Sequence, residues 1–178
     1  MSTRAFAIAR APVVAALFVS IWTWLMPRWF ASSRGVDLTP HWTAVNIALF
    51  VIGGLVMAKC VWDFAWTGHG TPAPFDPPRK LVVTGLYLFV RNPMYLGMGL
   101  VLAGEALLWP QIARELVILL IVCWALVNGF VMLYEEPHLR EKFGDDYVEY
   151  CRHVKRWLPR LTPFDRETER TVTSLNLD

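Results

Sequence analysis

The chain has 178 residues and a formal net charge of +2, too little positive charge for a protein built to hold nucleic acid. With 55% of its residues apolar and a positive mean hydropathy, it carries more apolar surface than a soluble core of this size can hide. Cys60, Cys123 and Cys151 are widely spaced with no CxxC pair, so neither a disulfide nor a metal site is expected.

In chain order, four apolar stretches stand out, each near the ~20 residues that a helix needs to cross a ~30 Å hydrocarbon layer. The first runs from about Ala11 to Phe30. Its basic start at Arg4 and Arg10 resembles a signal peptide, but its length and tryptophans favour an uncleaved span. The second runs from about Trp42 to Trp66, the third from Pro93 to Trp109, and the fourth from about Ile112 to Tyr134. Trp22, Trp24, Trp29, Trp42, Trp66 and Trp109 fall near the ends of these runs, where amphipathic rings suit the headgroup level.

Within the second span, Lys59 and Asp63 are four residues apart and share a helix face, where they can pair. In the third, Pro93 suits a helix start, and Gly97, Gly99 and Gly104 predict close packing against a neighbouring helix. Glu105, four residues from the outer end of that span, is expected to snorkel toward water, with a functional buried carboxylate as the other reading. Thirteen Lys and Arg lie in the N-terminus, the 67–92 loop and the tail after Tyr134, against Arg28, Arg34 and Arg114 in the two remaining loops. That imbalance predicts both termini inside, with the middle loop and the C-terminal tail on one aqueous face.

After Tyr134, Leu139, Phe143, Tyr147, Tyr150 and Val154 recur at three or four residues and predict an amphipathic helix lying at the interface. Gly144 is expected to break it in two, with Asp145 or Asp146 capping the second piece. The pattern therefore predicts an all-α polytopic membrane protein of about four transmembrane helices plus a cytoplasmic interfacial helix. Residues 1–164 form one membrane-embedded domain in this reading, and 165–178 a polar tail.

Two ordered motifs carry chemistry. The stretch Leu81-Val82-Val83-Thr84-Gly85-Leu86-Tyr87, followed by Val90-Arg91-Asn92-Pro93-Met94-Tyr95-Leu96-Gly97, resembles the G-x-Y…R-H-P-x-Y-x-G signature of the isoprenylcysteine carboxyl methyltransferase and phospholipid methyltransferase superfamily. Glu135-Glu136, then Phe143-Gly144-Asp145-Asp146-Tyr147, Tyr150 and Arg156-Trp157-Leu158-Pro159, are similar to that superfamily's E-E…F-G-x-x-Y-x-x-Y…R-x-x-P ending. Together the motifs cover roughly residues 72–159.

The resemblance implies an S-adenosylmethionine-dependent methyltransferase whose cofactor is enclosed by the middle loop, the start of the third span and the C-terminal helix. Lys80, Leu81, Val82 and Tyr87 would line the adenosine side. Asn92, Pro93, Met94 and Tyr95, with Arg91 beside them, would contact the methionine and ribose, and Glu135 or Glu136 would meet the cofactor's ammonium or hydroxyls. Glu136, Tyr95 and His153 are the candidate catalytic residues, and Arg152, His153 and Arg156 the candidates for holding the acceptor.

Two positions depart from the pattern. Asn92 replaces the motif's His, keeping a hydrogen-bonding side chain but losing a titratable one. His153 stands where the eukaryotic prenylcysteine enzymes have an Arg thought to meet the substrate. His138 and His153 are the bases available near the cytoplasmic helix. The expected partners are membrane lipids and a lipophilic or small-molecule methyl acceptor bearing a carboxylate, amine or thiol. The expected location is a bacterial inner membrane. A sterol-reductase-type enzyme using NADPH and a non-catalytic four-helix membrane subunit are the competing readings.

Overall fold

The computed structural model describes residues 20–64, 66 and 81–165, and among them every regular element is helical. A π-turn at Ile21–Leu25 runs into α1, Met26–Arg34, which ends on Gly35 at φ 62°. The expected first span begins at Ala11, and residues before Ser20 lie outside the described residues.

Helix α2, Ala44–Asp63, starts at a capping box in which Thr43 and Asn46 each accept the other's backbone N–H. A 3₁₀ turn at Gly85–Leu88 then leads into α3, Pro93–Leu108, a helix that coincides in extent with the third apolar stretch. After a second 3₁₀ turn at Pro110–Ile112, α4, Ala113–Phe130, passes through a π-turn, Val131–Glu135, into α5, Glu136–Phe143, and α6 follows at Asp145–His153.

Two rods, Ala44–Asp63 and the continuous run Pro110–Phe143, are long and apolar enough to cross a membrane, while Pro93–Leu108 is apolar but shorter. Their outer surfaces are apolar: Leu55 and Trp62 on α2, and Ile121, Leu126 and Leu133 on the long rod, are all exposed. Such faces suit lipid rather than water.

The fourth span and the helix after it form one rod instead of two separate elements. Pro137 explains the join. It lacks an N–H and crowds the carbonyl one turn earlier, so the ladder widens into a π-turn over Val131–Glu135 and the helix continues. Pro27 follows the π-turn at Ile21–Leu25 in the same way.

Gly144 does break the C-terminal helix, at φ 55°. The expected Asp cap is absent, however, because Gly144 itself is the N-cap. Asp145 and Asp146 sit in the first turn of α6, where their charge favours the positive end of the helix dipole. The apolar stripe of this region is spent on the chain itself: Tyr147, Tyr150 and Val154 are buried with Phe164, and Leu81, Val83, Leu139 and Phe143 pack against them.

Helices α2 and α3 make the tightest contact. A Cβ on Gly53 would lie 2.6 Å from the Gly97 carbonyl oxygen, and one on Gly97 would lie 3.0 Å from that of Gly53. Gly104 likewise faces Leu49 and Phe50 at 3.3 Å, whereas Gly99 faces open space and takes no part. Glu105 does not snorkel. It is 1% exposed, because the close approach of the two backbones at Gly104 seats it inside the packed end of the pair.

Candidate active site

Three segments distant in sequence meet at the end of α3 that begins with Pro93. The first is the 81–92 connection. Its residues alternate faces as an extended chain does: Leu81 and Val83 pack with Tyr147, Tyr150 and Val154, while Val82 is buried beside Cys60 and Tyr87. Gly85, at φ 56°, lies under the Lys59–Asp63 ion pair, where a Cβ would come within 2.8 Å of Lys59 Nζ. A side chain there would have to displace that pair.

The C-terminal segment clamps this connection from outside. Tyr150 donates its hydroxyl to the Tyr87 carbonyl at 2.6 Å, Arg160 N–H reaches the Phe89 carbonyl at 2.9 Å, and Phe164 N–H reaches that of Leu88 at 2.9 Å. Burial pushes the phenols of Tyr87 and Tyr150 well above their usual range, so both stay neutral, and Tyr150 serves as a donor rather than a base. The Tyr87 ring, edge-on to Phe64 with centroids 5.5 Å apart, is walled into the protein.

The Arg91-Asn92-Pro93 step is held at three points. Arg91 N–H donates to the Lys155 carbonyl at 3.0 Å, Arg91 Nη1 bonds Cys151 Sγ and lies 3.1 Å from Glu136 Oε1, and Asn92 Nδ2 reaches the Arg156 carbonyl at 3.3 Å. Arg156 forks onto the same carboxylate, Nε to Oε1 at 2.6 Å and Nη2 to Oε2 at 2.8 Å. Glu136 is thus a buried carboxylate between two guanidinium groups. Its hydrogen bond to Glu136 holds the Arg156 guanidinium protonated above the usual range.

Glu135 faces elsewhere, because adjacent helical residues diverge by about 100°. Its Oε2 accepts from the Tyr95 hydroxyl at 3.2 Å. The Tyr95 ring meets Trp157 edge-on at 6.3 Å, and Trp157 packs on Trp124 at 4.6 Å while donating Nε1–H to Asn128 Oδ1 at 2.9 Å. A carboxylate and a phenol beside two indoles form a site suited to an organic cation.

The structure therefore brings together Arg91, Asn92, Pro93, Tyr95, Glu135, Glu136 and Arg156. Leu81, Val82, Tyr87 and Met94 lie in the packed layer behind them, and Lys80 is outside the described residues. Arg156, a candidate for holding the acceptor, pairs with Glu136, a candidate for the cofactor, and the Glu136 carboxylate lies between the Arg91 and Arg156 guanidinium groups. Arg152 points outward and pairs with Glu149, and His153 stacks on Phe164 at 5.5 Å with Nδ1 3.1 Å from the Glu149 carbonyl. His138 stacks on Tyr134.

The motif reading passed over Trp124, Asn128 and Cys151. Asn128 had a visible signal, since a polar amide within an apolar run seeks a partner.

The chain matches the phospholipid methyltransferase family over residues 42–146. It is 29% identical over 126 residues to protein-S-isoprenylcysteine O-methyltransferase B of Arabidopsis thaliana, a match covering 68% of this chain and 62% of that protein. A probable protein-S-isoprenylcysteine O-methyltransferase of Oryza sativa subsp. indica is 26% identical over 127 residues, covering 69% of this chain and 65% of its own. The chain thus spans less than two thirds of the length of these plant relatives. An uncharacterized protein of Haemophilus influenzae is 39% identical over 66 residues, which are 36% of this chain and 100% of that protein. No solved structure matches. The matched region contains α2, α3 and the whole rod that carries Glu135 and Glu136, and the chain belongs to the phospholipid methyltransferase family.

Proposed function

We propose that this protein is an integral membrane methyltransferase that uses S-adenosylmethionine and methylates a lipophilic acceptor at the cytoplasmic face. One observation carries the reading: Glu136, Arg156 and Asn92 tie the two family motifs into one junction, beside which Glu135, Tyr95 and Trp157 form a cation-compatible cluster. The four apolar runs of the sequence give four crossings in this reading, and the charge imbalance along the chain places both termini inside. Residues 1–164 then act as one domain.

S-adenosylmethionine supplies an electrophilic methyl group on a sulfonium cation. The Glu135 carboxylate and the faces of Tyr95 and Trp157 stabilise positive charge. Trp124 backs Trp157, the two ring centroids lying 4.6 Å apart. When a cationic donor and an anionic acceptor react, charge is lost toward the transition state, so a site poor in water favours the step. The rigid Arg156–Glu136 fork holds the 91–95 turn in register, and orientation supplies much of the rest. Glu136 positions this turn and takes no proton. A carboxylate acceptor needs no base, and the apolar outer faces of α2 and α4 give a lipid-borne acceptor a route along the bilayer.

Equilibrium titration of the detergent-purified chain with S-adenosylmethionine and S-adenosylhomocysteine, with NADPH as competitor, tests the cofactor. Saturable binding of the first two that NADPH does not displace supports the proposal, and no binding at millimolar cofactor overturns it. Mass spectrometry of lipid extracts incubated with the protein and methyl-deuterated cofactor then identifies the acceptor by its label.

A further inference from the structure

After α6 ends at His153 the chain runs to Phe164 without a helix, and two leucines in this stretch face outward. Leu158 is 62% exposed and Leu161 100%, and among the described residues after Tyr134 no other large apolar side chain is left so open. The turn that carries them is not slack. Arg160 N–H is bonded to the Phe89 carbonyl and Phe164 N–H to that of Leu88, which pins the backbone on both sides of Leu161.

The depth of this turn follows from its neighbours on the long rod. Arg156 meets the rod at Glu136, whereas Trp157, the next residue, reaches Asn128 and packs on Trp124. Those two contacts lie eight and twelve positions before Glu136, about 12 and 18 Å along the helix axis. The backbone that carries both side chains therefore lies on the membrane side of Glu136. The rod stays apolar for six residues past Asn128, about 9 Å, before Glu135 opens its charged end. Trp157 is thus level with a stretch that faces hydrocarbon, and Ile121, one turn from Trp124, is exposed there. Leu158 and Leu161 continue that apolar surface.

Irregular backbone is costly at such depth unless its polar groups are met. Pro159 and Pro163 bring no N–H, and those of Arg160 and Phe164 are already paired. Lys155, exposed before the turn, is long enough to keep its ammonium at the headgroup level. We propose that the turn 157–163 is seated in the cytoplasmic leaflet, with Leu158 and Leu161 among the acyl chains and Lys155 at the lipid phosphates. A leaflet fits better than a soluble protein partner because the two leucines share the depth of the rod's lipid-facing surface. The proposal rests on the membrane-crossing reading of Pro110–Phe143 and needs no methyl transfer.

Full-length protein in nanodiscs of phosphatidylcholine and phosphatidylglycerol, carrying one fluorescent amino acid in place of Leu158, Leu161, Leu133 or Lys142, tests the seat. Leu133, 83% exposed on the rod, reports hydrocarbon, and Lys142, near the end of α5, reports water. Lipids brominated on their acyl chains should quench the probes at 158 and 161 as they quench the one at 133. Aqueous iodide should quench them about tenfold less than the probe at 142, because the bilayer core excludes ions. Iodide access at 161 equal to that at 142, with 133 still quenched by the lipid, leaves the turn in water and overturns the proposal alone. Shielding of 161 from both quenchers places protein over the turn and overturns it as well. Loss of acyl-chain quenching at 133 itself refutes the crossing and the seat together. With the probe at 158, Leu161→Glu should raise iodide quenching severalfold and Leu161→Ile should leave it unchanged, and equal quenching in the two overturns the seat. Size-exclusion profiles and helical circular dichroism verify that each variant is folded.

Discussion

Arg156 holds Glu136 through two parallel hydrogen bonds of 2.6 and 2.8 Å, joining a residue just past α6 to the start of α5, twenty positions earlier. A planar guanidinium matched to a carboxylate is the strongest pairing that side chains offer here, and Arg91 adds a second cation at 3.1 Å. Because Arg156 also lends its backbone carbonyl to Asn92, this contact aligns the two family motifs.

Arg156→Ala should therefore leave a buried carboxylate with half its charge partners and lower stability by about 3 kcal/mol. Arg156→Lys should rescue little, since an ammonium cannot reproduce the fork. Thermal unfolding in detergent measures both. A lysine variant as stable as the parent would show that the fork geometry is unimportant.

Tyr95→Phe deletes the hydroxyl that Glu135 accepts while preserving the ring against Trp157. If Glu135 faces the cofactor's sulfonium charge, loss of its orienting donor should weaken S-adenosylmethionine binding about tenfold, in line with a hydrogen bond to a charged group. Isothermal titration reads the change. Unaltered affinity would move the cofactor away from this pair.

Asn128→Leu should strand the indole N–H of Trp157 and destabilise the protein by about 1–3 kcal/mol. Trp157→Phe combined with Asn128→Leu should cost less than the sum of the two single changes, because the stranded donor is removed as well. Chemical unfolding of the four proteins closes the cycle, and strict additivity would mean that the bond contributes nothing.

Gly53→Ala and Gly97→Ala should each destabilise by about 1–3 kcal/mol, since the added methyl meets backbone that cannot move aside. Gly99→Ala, facing open space on the same helix, should be neutral or slightly stabilising. Comparing melting temperatures of the three variants checks the α2–α3 contact with an internal control.

The residue pattern alone marked most helix starts and the break at Gly144, because hydropathy, proline and glycine act locally, but it ended the fourth run at Tyr134 where the rod continues to Phe143. Pro93 opens α3, Gly144 ends α5, and the apolar runs become the rods Ala44–Asp63 and Pro110–Phe143. It also placed the two motifs in order, which identified the family. Only the tertiary structure decided which way each side chain faces. Glu135 and Glu136 are equivalent as letters, yet a turn of about 100° gives one to Tyr95 and the other to two arginines. The same reason governs Gly97 and Gly99, and Glu105, which is buried where its position along the span predicted exposure. A sequence records spacing along one helix, whereas burial and pairing depend on the neighbour that the fold brings alongside.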